Sequence, residues 1–205
     1  MNSSDDQQLS LRERNKLRAR ADILDAAADL LSEAGYAGTT LEELSRRAGL
    51  SRRTVYAYFP EGRDQIVREV YLRIGAEVYD RGSTLREEAR GLVDRITALA
   101  RALVEATSTP AGRFYGVMGP DIVPVLTGVL GMTSRSVEEL IKIDLLAAQA
   151  AGQLPEGVAI DAMAAALTGA IRACGARAAT SPGTAEQQIA TITLLTQGLL
   201  SRAAL

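Results

Sequence analysis

Apolar residues recur at helical spacing along nearly the whole chain. Leu17, Ala21, Leu24, Ala28 and Leu31 step by four and three, with Ile23, Ala27, Leu30 and Ala34 beside them. That stripe predicts a helix over about 14–34, stopped by Gly35. Thr40 with Glu43 three residues on predicts a capping box, the hydroxyl on the Glu43 N–H and the carboxylate reaching back. The helix it opens is short, because Gly49 follows. Ser51 predicts the cap of another short helix through Tyr58 or Phe59, ended by Pro60 and Gly62. A fourth helix is predicted over 64–80, with Ile66, Val67, Val70 and Ile74 inward.

The pattern then continues. Leu92, Ile96, Leu99 and Leu103 stripe a helix over 84–107, and Pro110, Gly112, Gly119 and Pro120 isolate a very short element over 113–118. Residues 121–152 read as another helical stretch, bent near Pro124 or between Gly128 and Gly131. Two last helices are predicted over 158–179 and 184–203. No segment has the alternation of a strand, and none repeats at a fixed period. The fold class is all-α.

Composition removes whole classes of chemistry. Among 205 residues there is no histidine, one cysteine (Cys174) and no tryptophan. Without histidine there is no Ser-His-Asp or Cys-His arrangement and no His-ligated metal. One cysteine forms no intrachain disulfide and suits a reducing compartment. The polar start, Met1 to Gln8, lacks the apolar core of a signal peptide, and no apolar run is long enough to span a bilayer. The expected location is the cytoplasm, with no cofactor and no metal. The paired carboxylates Glu42-Glu43, Glu87-Glu88 and Glu138-Glu139 are adjacent, so on a helix they diverge by about 100° and do not share one site.

The formal charge of −2 argues against a nucleic-acid partner until its distribution is seen. Residues 11–20 hold Arg12, Arg14, Lys16, Arg18 and Arg20 against Glu13, and residues 44–60 hold Arg46, Arg47, Arg52 and Arg53 with no acid. The second of these segments is a helix-turn-helix pattern. Gly49 supplies a left-handed backbone at the turn, Leu50 an apolar plug, and Ser51 a cap for the second helix. Arg52, Arg53 and Thr54 then fall in the first turn, where a recognition helix meets base edges, and an arginine there can pair with guanine in a bidentate manner. Tyr56 and Tyr58 are spaced to reach phosphates.

The run Ile23 to Ala27, then Leu30 to Tyr36, Thr39 to Leu44, Ala48 to Ser51 and Thr54 to Phe59 resembles the DNA-binding domain of TetR-family transcriptional regulators. The resemblance covers about residues 14–75. It implies an N-terminal three-helix helix-turn-helix domain and a C-terminal helical bundle for ligand binding and dimerisation. The expected divisions are a disordered tail over 1–10, the DNA-binding domain over 11–62, a connecting helix over 63–82 and the ligand domain over 83–205. The resemblance also implies roles: Thr39 and Thr40 on backbone phosphate, Arg52, Arg53 and Thr54 on bases, Tyr56 and Tyr58 on backbone. The family usually has a lysine three residues after the phenylalanine. Here Gly62 stands there, and Arg63 is read as taking the phosphate role after a one-residue insertion in Pro60-Glu61-Gly62.

Several readings stay open at this level. Arg46 and Arg47 suit either an exposed face or phosphate. The basic start over 12–20 is either an arm for the minor groove or an ordinary charged helix start. Cys174 is either a small core residue or a redox sensor. Ile160, Met163, Leu167 and Ile171 on one helix, with Ile189, Ile192, Leu195 and Leu199 on the last, form stripes expected to pair with a second copy. Arg113, Phe114, Tyr115, Met118, Met132, Met163 and Arg172 are the candidates for an effector pocket. The resulting expectation is a repressor that binds double-stranded operator DNA as a homodimer and is released by a small apolar effector. Alternatives are an activator or ligand-independent regulator of the same fold, and, from other classes, a helical enzyme or adaptor.

Overall fold

A reciprocal capping box opens the first helix, α1 (Leu11–Gly38). The Ser10 hydroxyl accepts from the Glu13 N–H at 3.2 Å, and the Glu13 carboxylate accepts from the Ser10 N–H at 2.9 Å. The protein is seen in a computed structural model that describes residues 10–200, so the tail expected over 1–10 lies outside the described residues except for Ser10. α1 begins about a turn before its apolar stripe does, because a polar Ser-x-x-Glu cap sets its start. Gly35 interrupts the helical geometry (φ 66, ψ −172) where the sequence placed the stop.

α2 (Leu41–Arg47) and α3 (Arg52–Tyr58) follow. The Thr40 hydroxyl accepts from the Glu43 N–H at 3.2 Å. The second half of that predicted box does not form: the Glu43 carboxylate is taken by the Arg46 guanidinium, Nε at 3.0 Å. Ser51 caps α3 through the Thr54 N–H. Gly49 between them has φ +66, as the turn requires.

By its internal contacts the chain divides into two units between Val70 and Tyr71, inside α4 (Arg63–Glu88). The core of the first unit is Ile23, Ala27, Leu30, Leu31, Leu44, Val55, Phe59, Ile66, Val67 and Val70. Arg20 fastens three of its elements. Its guanidinium lies 4.5 Å from the centre of the Phe59 ring, donates to the Tyr58 carbonyl at 3.0 Å and pairs with Glu69. This cation is therefore structural.

The second unit adds α5 (Gly91–Ser108), α6 (Arg113–Gly116), α7 (Met132–Ala150), α8 (Ile160–Thr180) and α9 (Ala185–Gln197). α5 is central and packs against the other four. Two sequence expectations change here. The helix expected to end at Asp80 continues to Glu88, and the next begins at Gly91 because Arg90 is extended (φ −113, ψ 127). Gly82, where the connecting helix was expected to end, lies within the helix, where a Cβ would sit 3.3 Å from the Leu99 side chain. It is a point of close approach to α5. Nor is 121–152 one bent helix: residues 120–131 form successive turns closed by bonds such as Val125 N–H to Ile122 O, and α7 starts only at Met132. Among the described residues there is no strand, and no helix is long and apolar enough to cross a membrane.

The polar fixture of this unit is Asp144 on α7, whose side chain is 1% exposed. Arg86 from the last turn of α4 grips both its oxygens, at 2.6 and 2.7 Å, and Arg95 from α5 adds a third bond at 3.0 Å. A carboxylate so buried is tolerable only with its charge matched and its lone pairs engaged. Asp144→Ala would leave the 12%-exposed Arg86 without its counter-ion, so a loss of about 3–5 kcal/mol is expected in chemical denaturation. Arg95→Ala removes the more exposed partner and is expected to cost under about 1 kcal/mol. Equal losses from the two would show that Arg86 is not the principal partner.

Candidate nucleic-acid interface and ligand cavity

The first turn of α3 presents its side chains outward because Val55 and Phe59 hold the other face in the core. Arg52 and Arg53 are exposed. Arg52 pairs with Glu42 of α2 at 2.7 Å, whereas Arg53 has no ion-pair partner among the described residues. Thr54 shares a hydrogen bond between hydroxyls with Ser51 at 2.8 Å. Tyr56 is 47% exposed, with its ring edge against Gly62, where a Cβ would lie 3.3 Å from Cε1. Gly62 has φ +72 and closes a turn by donating to the Phe59 carbonyl. Position 62 is thus a glycine for two reasons at once: a left-handed backbone and a tyrosine ring overhead. Thr40 is exposed, and Tyr58 is half-buried with its carbonyl held by Arg20.

One expected phosphate contact, Thr39, is corrected, and a second, Arg63, is engaged within the fold. Thr39 is fully buried, and its hydroxyl donates to the Gly35 carbonyl at 2.8 Å. It closes the kink at the end of α1 and does not face solvent. Arg63 has its guanidinium 4.0 Å from the centre of the Tyr36 ring and hydrogen-bonded to the Tyr36 hydroxyl, which in turn donates to Asp64 at 2.7 Å. That stack ties α4 to α1; partial desolvation and the bond to Asp64 hold the phenol above its ordinary range. Arg46 and Arg47 are also engaged, Arg46 with Glu43 and Arg47 with both oxygens of Glu33, at 2.9 and 2.7 Å. The bond from Arg47 pulls the Glu33 carboxyl below its usual value. Arg12, Arg14, Lys16 and Arg18 are exposed on a capped helix and make no ion pair among the described residues. The basic start is therefore helical and not an extended arm.

The second unit holds a cavity of about 450 Å³. α4 contributes Tyr71 and Val78, α5 Leu99 and Leu103, α7 Thr133, Ser134 and Val137, and α8 Thr168, Ile171 and Arg172. Tyr115 and Met118 also line it. Of the seven pocket candidates, Tyr115, Met118 and Arg172 are in the wall. The other four do not line it: Phe114 is buried in packing, Met163 lies against the core of the unit, and Arg113 and Met132 are exposed. The rings of Tyr71 and Tyr115 stand 4.9 Å apart, and the Tyr71 hydroxyl accepts from the Gly131 N–H at 3.1 Å. Burial pushes the Tyr115 phenol up to about 12, opposed by a hydrogen bond from Thr133 and by the Arg172 charge. Room for the Thr133 hydroxyl exists because residue 75 is glycine; a Cβ there would collide with it. Tyr71, Thr133, Ser134 and Thr168 were not anticipated from the sequence. The available signal was Thr168, a hydroxyl on an otherwise apolar helix one turn before Arg172.

The stripes expected to pair with a second copy are mostly internal. Leu167, Ile171, Ile189 and Ile192 are buried, and Ile160, Met163 and Leu199 pack against the same core. Helices of their own chain thus cover Leu167, Ile171, Ile189 and Ile192, while Ile160, Met163 and Leu199 keep part of their surface exposed. Leu195 is exposed, with Leu194 beside it, and α8 exposes small residues at Ala162, Ala165, Ala166, Gly169 and Ala173. Cys174 is buried in the core cluster and burial pushes its thiol up, which suits a small core residue and not a sensor.

Residues 23–70 match the model of the bacterial regulatory proteins of the tetR family. No curated protein matches the chain. Among solved structures, a TetR transcriptional regulator from Chloroflexus aurantiacus is 19% identical with a TM-score of 0.75, covering 93% of this chain and 100% of its own. A structure described as the molecular basis for control of antibiotic production by bacterial hormones is also 19% identical, TM-score 0.73, covering 90% and 98%. The regulator FadR from Bacillus subtilis in complex with stearoyl-CoA is 13% identical, TM-score 0.72, covering 87% and 98%. At such identities the structural likeness speaks for the fold, and the match over the helix-turn-helix speaks for the family. Residues 23–70, then, are a helix-turn-helix segment of the kind found in the bacterial regulatory proteins of the tetR family, and the chain as a whole has a TetR-like fold.

Proposed function

We propose that the chain is a ligand-responsive repressor that binds a palindromic operator as a homodimer. The observation that carries the DNA contact is the exposed first turn of α3, with Arg53 unpaired and Arg52 held only by an exposed ion pair to Glu42. Such a pair is weak in water and readily exchanged for a base or phosphate. Arg52, Arg53 and Thr54 read bases, and Thr40, Tyr56 and Tyr58 set register on the backbone. Half-sites are centred about 10–10.5 bp, or a multiple of that, apart. The small-residue face of α8 with Leu194 and Leu195 meets the second copy. Ligand response is supported by the cavity and by FadR, a protein of the same fold that holds stearoyl-CoA. The effector acts only through its differential affinity for the DNA-competent and incompetent states.

Selection of bound fragments identifies the operator and makes three outcomes measurable. Arg53→Ala should relax base preference at one position of each half-site, costing about 1–3 kcal/mol on the preferred sequence. Unchanged discrimination would overturn its base-reading role. Tyr56→Phe should weaken binding to all sequences alike; a sequence-selective loss contradicts a phosphate contact.

A third outcome concerns the start of α1. On a helix its cations divide into Arg12 with Lys16 and Arg14 with Arg18, on nearly opposite sides. Only one pair can face a duplex. Replacing one pair with glutamine should lower the salt slope of binding by about 0.9 for each lost phosphate contact, and replacing the other should leave it unchanged. No change from either pair would mark the segment as an ordinary solvated helix start.

A further inference from the structure

The cavity wall carries one cation, Arg172, and no acid. Arg172 is exposed and has no ion-pair partner among the described residues. One turn before it on the same face of α8 stands Thr168, 5% exposed, whose Oγ1 is buried without a hydrogen bond. Threonines inside helices ordinarily give the hydroxyl to the carbonyl four residues back. Thr107 and Thr196 do so in this unit, to Leu103 and Ile192, at 2.9 Å each. Thr168 does not, and a buried hydroxyl left unmatched is costly. The same wall carries an apolar set, Leu99, Leu103, Val137 and Ile171.

We propose that this cavity takes a monoanionic amphiphile, a carboxylate on an apolar body. The carboxylate accepts from the Arg172 guanidinium and the Thr168 hydroxyl, and the body lies along Leu99, Leu103, Val137 and Ile171. This deepens the ligand-responsive reading and rests on it. A cationic ligand would meet an unmatched guanidinium with no acid to offset it. A neutral one would leave Arg172 without a counter-charge and forgo a charge-assisted bond. Tyr115, which stays protonated to about 12, brings no competing negative charge. The volume of about 450 Å³ is in the range of small-molecule sites and accommodates an eight-carbon acid.

The test is calorimetric titration of the whole chain with three probes of one tail length: sodium octanoate, octan-1-ol and octylammonium chloride. Octanoate should bind about tenfold or more tightly than octanol, and octylammonium weakest. In Arg172→Gln, at an exposed site that tolerates the change, octanoate should fall to the level of octanol while octanol stays as it was. Thr168→Val keeps the shape of the side chain and should weaken octanoate about fivefold. The proposal is overturned if octanoate does not bind, if octanol or octylammonium binds as tightly, or if the preference survives Arg172→Gln. The operator titration in the presence of octanoate is read separately. Octanoate bound with the expected preference, yet without effect on DNA binding, supports the cavity chemistry and counts against the ligand-responsive reading.

Discussion

A single buried carboxylate organises the second unit. Asp144 needs two arginines, and those arginines arrive from the end of α4 and the start of α5. For both to converge on one side chain, the chain must leave its helix between Glu88 and Gly91 and re-enter at an angle. α4, α5 and α7 are thereby fixed at one end of α7. Five of the residues that line the cavity, Val78, Leu99, Leu103, Thr133 and Val137, lie on those same three helices. A polar constraint a few turns away thus sets the spacing of an apolar space. Hydrophobic burial alone would permit the helices to slide; a bidentate ion pair has one geometry.

How much of this was legible depends on the range of the signal. The helix-turn-helix was, because Thr40, Gly49 and Ser51 act on backbone within three residues of themselves. The start of α1 was equally local in Ser10 and Glu13, but it carries no apolar stripe and so was overlooked. Gly82 misled because a glycine that permits close helix packing and one that ends a helix are the same letter. The stripes of α8 and α9 misled for a related reason. An apolar face looks the same whether a helix of its own chain or of a second copy covers it, and Leu167, Ile171, Ile189 and Ile192 proved to be covered from within.

Charge was the least legible property. Counted along the chain, residues 44–60 are strongly basic. In space Arg47 reaches back to Glu33, Arg52 to Glu42 and Arg20 forward to Glu69. Acids remote in sequence quench most of that surplus and leave Arg53 and the outer turns of α1 as the unpaired positive surface. Local composition therefore overstated the number of cations free to meet a phosphate, while marking a segment that lies within the stretch matched to the tetR family. The field a duplex meets depends on where the charges sit and which of them are matched.

Gly62 has a bearing on how such a sequence can change over time. It sits in left-handed backbone beneath the Tyr56 ring. Any substitution there would force a side chain into φ +72 and toward the ring. Residue identity and loop shape are therefore locked to each other, and a change at this position is accommodated only if the backbone of the turn or the Tyr56 ring changes with it.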